Sequence, residues 1–553
     1  MKKLVAILML CLITAALYAI PPTPGTKHEG CLHHSMNIAP FRSPSKQAAD
    51  SSLQKISPLS PAPIENRNLL VILVNFTDKK FDPSRADPDF YETMLGKEGE
   101  PAGSMTMRKY YQDMSGGKLN LTFTVLGPYD LDNNMAYYGA NIDGIAGNDI
   151  RRGDLVTDAI KKAEESGDLD SPWAVYADNW DFDNDGNIDN VFIVHAWEHE
   201  KEISNSEILN PDSLLSSWWS LKDAKKNGMS TYDKYEININ GIKKIFNYHV
   251  IVSEYTALGY VPGPSIGIFC HEYGHVLGLG DLYDYTYETN GVDYWSLMGY
   301  GDRGTMGYKN TTTGSDPVTL LAWEKYYLGW LTPETITPTA KPQTFKFSDI
   351  EESRKAWKID LNPSGSQYLI LEGKKRNATG IGWAVPEDGL LITHIDEDIL
   401  SKYWVNEINK SKTRVHGIDV VEAQSPYYET TGLGNLWNAE SSVTVCFRNT
   451  TKTELMPYYG KAVAGAGLLV SLILMHRKRK KLGMMLLICF TICFMACSLG
   501  GHSSHSANIL GLPNTNYYTS ELVTSKTGIS GITITVNCPA GSSSGTFTVV
   551  KEK

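Results

Sequence analysis

Between Asn68 and Leu331 the spacing of apolar positions changes repeatedly, and each change predicts an element. "NLLVILVNF" (Asn68 to Phe76) is a continuous apolar run of strand length, as expected of a strand buried on both faces. "TMRKYYQDM" (Thr106 to Met114) predicts a helix, and "KLNLTFTVLG" (Lys118 to Gly127) alternates as a strand does. "DLVTDAIKKAEE" (Asp154 to Glu165) sets Val156, Ile160 and Ala163 at helical spacing, and "NVFIVHA" (Asn190 to Ala196) is a second buried strand. A further helix is expected around His271. Ser315-Asp316-Pro317 resembles a helix start and predicts a helix running to about Leu328. Strands alternating with helices favour an α/β sheet domain over 68–332.

Past Pro333 the pattern shortens. "QTFKF", "AWKIDL", "QYLILEG", "GLLITHI" and "SVTVCF" are β-rich runs separated by Gly, Pro and Asn, and they predict an all-β, sandwich-like domain over 333–455. Two apolar runs follow within 458–500, Ala462 to Met475 and Leu482 to Gly500, on either side of the basic "HRKRKK". They predict two membrane segments with the basic loop on the cytoplasmic side and both flanking regions outside. The Ser/Gly-rich tail, 501–553, ends in "GITITVNC" and "GTFTVV", β fragments too short to form a sandwich alone. At the other end, Lys2 and Lys3 precede an apolar run from Leu4 to Leu17, and Leu17-Tyr18-Ala19 offers a cleavage site. Residues 1–19 therefore read as a secretory signal peptide, and the Pro-, Ser- and His-containing stretch 20–67 as a pro-segment or linker.

Composition narrows the partners. A net charge of −11 and a pI near 5.7 argue against nucleic acid as the main partner. Of the eight cysteines, only Cys31, Cys270, Cys446 and Cys538 fall in soluble exported regions, too widely spaced for a dense disulfide framework. The fold must rest on its core.

The candidate chemistry lies in "IFCHEYGHVLGLGDLYDY". On a helix, His271 and His275 share a face and can offer two imidazole nitrogens to one zinc ion. Glu272, beside the first ligand, is placed to take a proton from metal-bound water. Zinc needs a third protein ligand. Gly278 lets the chain reverse, so Asp281 is the preferred third ligand, with Asp284 and Glu372 as rivals. His195-Ala196-Trp197-Glu198-His199 fits the inverted motif H-x-x-E-H, but it follows a strand and lacks the helical context that motif requires.

A second constellation is "DFDNDGNID", in which Asp181, Asp183, Asp185, Asn187 and Asp189 alternate around Gly186. Alternate oxygen side chains at a tight glycine turn suit Ca²⁺, although Phe192 stands where an EF-hand would place its bidentate glutamate. Such an ion would stabilise the fold without entering the chemistry.

Downstream, "YWSLMGYG" carries Met298 and Tyr300. Here the chain resembles the metzincin clan. With "HEYGHVLGLGDLYD", the acidic loop and "AWEKYYLGWL", it resembles the immune inhibitor A-like zinc metalloproteases over about Asn68 to Leu331. The resemblance implies an α/β metzincin-like zinc peptidase domain, followed here by the β domain and the C-terminal transmembrane segments. It implies zinc on His271, His275 and Asp281, Glu272 as base, Met298 as the methionine turn beneath the metal, and a transition-state role for Tyr300. The expected protein is an exported zinc endopeptidase acting on extracellular proteins or peptides. It would be anchored at the cell surface by its C-terminal segments, or secreted if they are removed. The alternative is a calcium-stabilised surface-binding protein built on a peptidase scaffold.

Overall fold

The computed structural model describes residues 64–447 and 532–551 apart from several internal stretches, the longest being 171–179, 256–265, 305–315 and 422–442. The expected signal peptide, almost all of the pro-segment and the two expected membrane segments lie outside the described residues. Among the described residues no helix is long and apolar enough to cross a membrane.

The first sheet has five strands: β1 (Glu65–Asn75), β2 (Leu119–Asp130), β3 (Val191–Glu198), β4 (Ser217–Ser220) and β5 (Tyr248–Tyr255). Their spatial order is β2-β1-β3-β5-β4, with every neighbour parallel except the antiparallel edge strand β4. The side-chain period of two explains the continuous apolar run of β1. Leu69, Val71 and Leu73 enter one core with α1 (Met107–Ser115) and α3 (Ile266–Val276). Leu70, Ile72 and Val74 enter another with α2 (Arg152–Glu165), whose Leu155, Val156, Ala159, Ile160 and Ala163 face the sheet. Both faces are covered, so neither set of alternate positions can be polar. Helix α1 begins at the Thr106 cap, whose side chain accepts from Lys109 N at 3.1 Å, and ends at Gly116 in the left-handed region.

The helix expected from Ser315 to Leu328 is shorter. Ser315 lies outside the described residues, and α4 spans only Ala322–Tyr327. Tertiary contacts hold the segment before it in a non-helical path. Val318 N donates to Gly301 O at 2.9 Å and Val318 O accepts from Tyr110 Oη at 2.8 Å, while Val318, Leu320 and Leu321 are fully buried.

Beyond residue 332 the described residues form two packed sheets. One contains β6 (Glu334–Thr335), β8 (Ala356–Asp360), β9 (Gln367–Lys374), β10 (Gly389–Asp396) and β11 (Ile418–Val420). The other has the order β7-β14-β13-β12, built from β7 (Gln343–Phe347), β12 (Val443–Phe447), β13 (Ile532–Asn537) and β14 (Gly545–Lys551). The second sheet draws on the β-patterned tail expected over 501–553. The tail's two β fragments are strands of that sheet, and Ile532, Ile534, Val536, Phe547 and Val549 fill the core shared with Trp357, Leu369 and Leu371. Strand β9 again explains the arrangement through its period: Leu369 and Leu371 face the sandwich, whereas Tyr368 and Ile370 join the core of the first domain. The boundary expected near residue 332 is therefore crossed by one continuous apolar core.

Candidate active site

Helix α3 buries nearly every residue it carries, including His271, Glu272 and His275. Gly274 lets it lie directly on Met298, since a Cβ there would stand 2.5 Å from the Met298 sulfur. The helix ends where glycine was expected to end it: Gly278 has φ +92°, Gly278 N donates to His275 O at 2.9 Å, and Leu279 N donates to Gly274 O at 2.9 Å. The reversed chain then serves the site twice. Leu279 O lies 2.9 Å from His275 Nδ1, and two residues on, Asp281 turns back toward the imidazoles.

Asp281 Oδ1 lies 3.1 Å from His271 Nε2 and 3.4 Å from His275 Nε2. The other ring nitrogens are held by backbone, His271 Nδ1 at 3.0 Å from Leu297 O and His275 Nδ1 as above. Each carbonyl calls for a protonated Nδ1, which leaves Nε2 as the lone-pair donor on both rings. The three donor atoms are buried and lie within 4.8 Å of one another. Tetrahedral zinc with bonds of about 2.0–2.1 Å would set its ligand atoms about 3.3 Å apart, and two nitrogens with one carboxylate oxygen suit that ion. The residues fit the metal. Burial opposes ionisation of Asp281, but the charges and hydrogen bonds of His275 and His271 hold its carboxyl well below the usual range. Burial likewise opposes the His271 imidazolium, yet the Asp281 contact outweighs it and raises the pKa to about 10.

Glu272 is buried beside these groups, and its Oε2 makes no hydrogen bond. Burial pushes its carboxyl up, with His271 and His275 pulling the other way. The upward shift favours proton uptake, as a group that accepts a proton and later returns it requires. Met298 is fully buried under the helix. Tyr300 stands one ring further out from His271 than Tyr283 does. The Tyr283 ring stacks on His271 with centroids 6.4 Å apart, and Tyr300 stacks on Tyr283 at 5.7 Å. Trp218, on edge strand β4, approaches His275 at 6.4 Å. Neither Tyr283 nor Trp218 was singled out from the sequence, although Tyr283 sits inside "DLYDY".

The other candidates fall elsewhere. Asp284 is fully buried but outside the three-donor group. Glu372 accepts from Ala322 N at 2.9 Å and pairs with Lys374 at 2.9 Å, far from a ligand role. His195 is a core residue of β3, 2.9 Å from Ala196 O, and burial lowers its pKa to about 4. Of the calcium candidates, Asp183 and Asp185 lie outside the described residues. Asp181 is buried and ion-paired with Lys244 at 2.8 Å, and it accepts from Gly186 N at 3.0 Å. Cys270 is a free, buried thiol one position before the motif.

Residues 64–331 match the family model described as "Immune inhibitor A peptidase M6, catalytic domain". The chain is similar to the "Pre-pro-metalloprotease PrtV" of Vibrio cholerae serotype O1, with 27% identity over 292 residues, covering 47% of this chain and 29% of that protein. It is also similar to the "Immune inhibitor A" of Bacillus thuringiensis subsp. alesti, with 30% identity over 269 residues, 43% of this chain and 36% of that protein. The chain thus spans about a third of the length of these relatives.

Proposed function

We propose, from the premise that residues 64–331 are a peptidase M6 catalytic domain of the immune inhibitor A family, that the protein is an exported zinc metalloendopeptidase acting on extracellular proteins or peptides. One observation carries this reading: His271 Nε2, His275 Nε2 and Asp281 Oδ1 converge beside a Glu272 oxygen that has no other hydrogen bond. His271, His275 and Asp281 would hold the metal. Zinc held there would supply Lewis acidity, polarising a scissile carbonyl and making water a better nucleophile at neutral pH.

This chain's own residues do the rest. Glu272 takes the proton released by the attacking water on its free oxygen and delivers it to the departing amine nitrogen, and its raised affinity for protons suits both steps. Leu297 O and Leu279 O fix the imidazole tautomers. Tyr300 enters the proposal as a transition-state aid whose ring stacks on Tyr283, which in turn stacks on His271. Calcium on Asp181, Asp183, Asp185, Asn187 and Asp189 enters it as a stabilising ion that would share Asp181 with Lys244. Export is supported by the expected signal at 1–19 and by the name "Pre-pro-metalloprotease" borne by one relative, which describes a protein made with leader and pro-segments.

The test is Glu272→Gln. Zinc content by elemental analysis should match wild type, while hydrolysis of a peptide substrate should fall about 10²- to 10⁴-fold, the usual contribution of a positioned acid–base group. Near-normal turnover in that variant would remove Glu272 from the mechanism.

A further inference from the structure

We propose that Glu324 is a positioning residue of the metal site, acting through the hydroxyl of Ser296 on the turn formed by Leu297 and Met298. The inference rests on the zinc reading above and extends it to a residue about fifty positions from the motif on a different element.

Glu324 is fully buried in the first turn of α4. Its two carboxylate oxygens accept from Ser296 Oγ at 2.9 and 2.8 Å, and one of them also accepts from Leu321 N at 2.6 Å. Ser296 Oγ in turn accepts from Met298 N at 3.0 Å. A hydroxyl has one hydrogen, so the directions are set: Ser296 donates to Glu324 and receives from Met298. The carboxylate thereby holds the hydroxyl, and the hydroxyl holds the backbone of the turn.

Two contacts carry that turn to α3. Leu297 O, the residue between, lies 3.0 Å from His271 Nδ1 and orients the ring whose Nε2 meets Asp281. The Met298 side chain fills the space under Gly274, which lies between the two histidines one position before His275. A shift of residues 296–298 would therefore move His271 and loosen the support of the helix together.

Helix capping alone does not account for Glu324. The N–H of Leu321 at the N-cap requires one acceptor three residues on, and a neutral glutamine there would supply it without burying a carboxylate. Burial of a carboxylate is costly unless its partners need it. Here the second domain keeps the start of α4 in place. Glu372 of β9 accepts from Ala322 N at 2.9 Å, and Lys374 Nζ donates to Thr319 Oγ1 at 3.0 Å and Leu320 O at 3.3 Å. Glu324 is thus aimed at Ser296 by a segment clamped from the β sheet.

The experiment uses the full chain with Ser296→Ala, Glu324→Gln and the double variant, and with Thr157→Ala as a control that removes a hydroxyl bonded only to a remote backbone carbonyl, Asp154 O. Zinc affinity is measured by competition with a chelator, and the visible spectrum of the cobalt-substituted protein reports ligand geometry. Each single variant should bind zinc about 10- to 100-fold more weakly, the usual loss for a partner behind a ligand. The double should be no weaker than the singles, because both changes cut one path. The control should keep wild-type affinity and spectrum. Wild-type affinity and spectrum in Ser296→Ala would overturn the proposal even if Glu324→Gln fails to fold, and so would losses that multiply in the double. Wild-type protein that takes up no zinc would overturn the metal reading itself, a result distinct from undiminished zinc in the variants.

Discussion

Phe547→Ala tests whether the last strand belongs to the core of the second domain. Phe547 is fully buried, with its ring centroid 5.2 Å from Phe345 and 5.1 Å from Trp357. It pairs with Phe345 on one neighbouring strand and with Val536 on the other. A buried Phe→Ala change costs about 3–5 kcal/mol, and the two ring contacts argue for the upper half of that range. A domain of ordinary stability has only about 5–15 kcal/mol in total. Ending the chain at Ser530 is the larger perturbation. It removes Ile532, Ile534, Val536, Phe547 and Val549, each worth about 1.5–3 kcal/mol on burial, so the loss is on the order of 10 kcal/mol and the second sheet should not hold. Urea unfolding of the full chain measures both. Thr548→Ala, on the outer face opposite Thr344, is the control and should stay within about 0.5 kcal/mol of wild type. An unfolding midpoint unchanged by Phe547→Ala would refute the reasoning, because a tail outside the core would lose nothing.

Two further outcomes are expected. Asp281→Ala should lose most bound zinc and Asp284→Ala should keep it, read by elemental analysis after dialysis, since only Asp281 lies in the three-donor group; Asp281→His should restore binding because imidazole suits the same ion. Burial, reinforced at Glu200 by the charge of Asp149, pushes Asp149 up to about 7 and Glu200 up to about 8. In the unfolded chain both ionise near pH 4, so the folded state holds the extra protons and their contribution is complete below that pH. It is lost progressively as pH rises from there to about 7–8, where the folded groups also ionise. The melting temperature should therefore fall across that window, and Asp149→Asn should flatten the fall; a parallel decline in wild type and variant would rule this out.

Much of the site was legible because its signals are local. The H-E-x-x-H spacing needs only a helix, and the Gly278 reversal follows from the conformational freedom of one residue. The apolar runs of β1 and β3 announced strands covered on both faces for the same local reason. What escaped depends on distance along the chain. Tyr283 reaches His271 because the loop after Asp281 folds back, and nothing in "DLYDY" says which tyrosine will do so. The start of α4 is set by Tyr110, Gly301 and the Glu372–Lys374 pair rather than by Pro317, so helix-start chemistry at Ser315 to Pro317 was overridden. The second sheet is the clearest instance: Thr344 and Thr548 face each other across 204 positions, a pairing that alternation within either strand cannot specify.

The second sheet also ties the C-terminal strands to the first domain. Phe447, the last residue of β12, is in register with Ile532, the first residue of β13, so the chain leaves and re-enters the sheet at one point. Strand β13 continues into β14, which pairs with β7, and β7 follows directly from the first domain. The C-terminal strands and the metal site must then lie on one side of any bilayer. An apolar segment inserted between paired strands can cross a membrane only an even number of times, since an odd number would put half of one sheet on the far side. The two membrane segments expected within 458–500 lie outside the described residues; two crossings there would meet that parity.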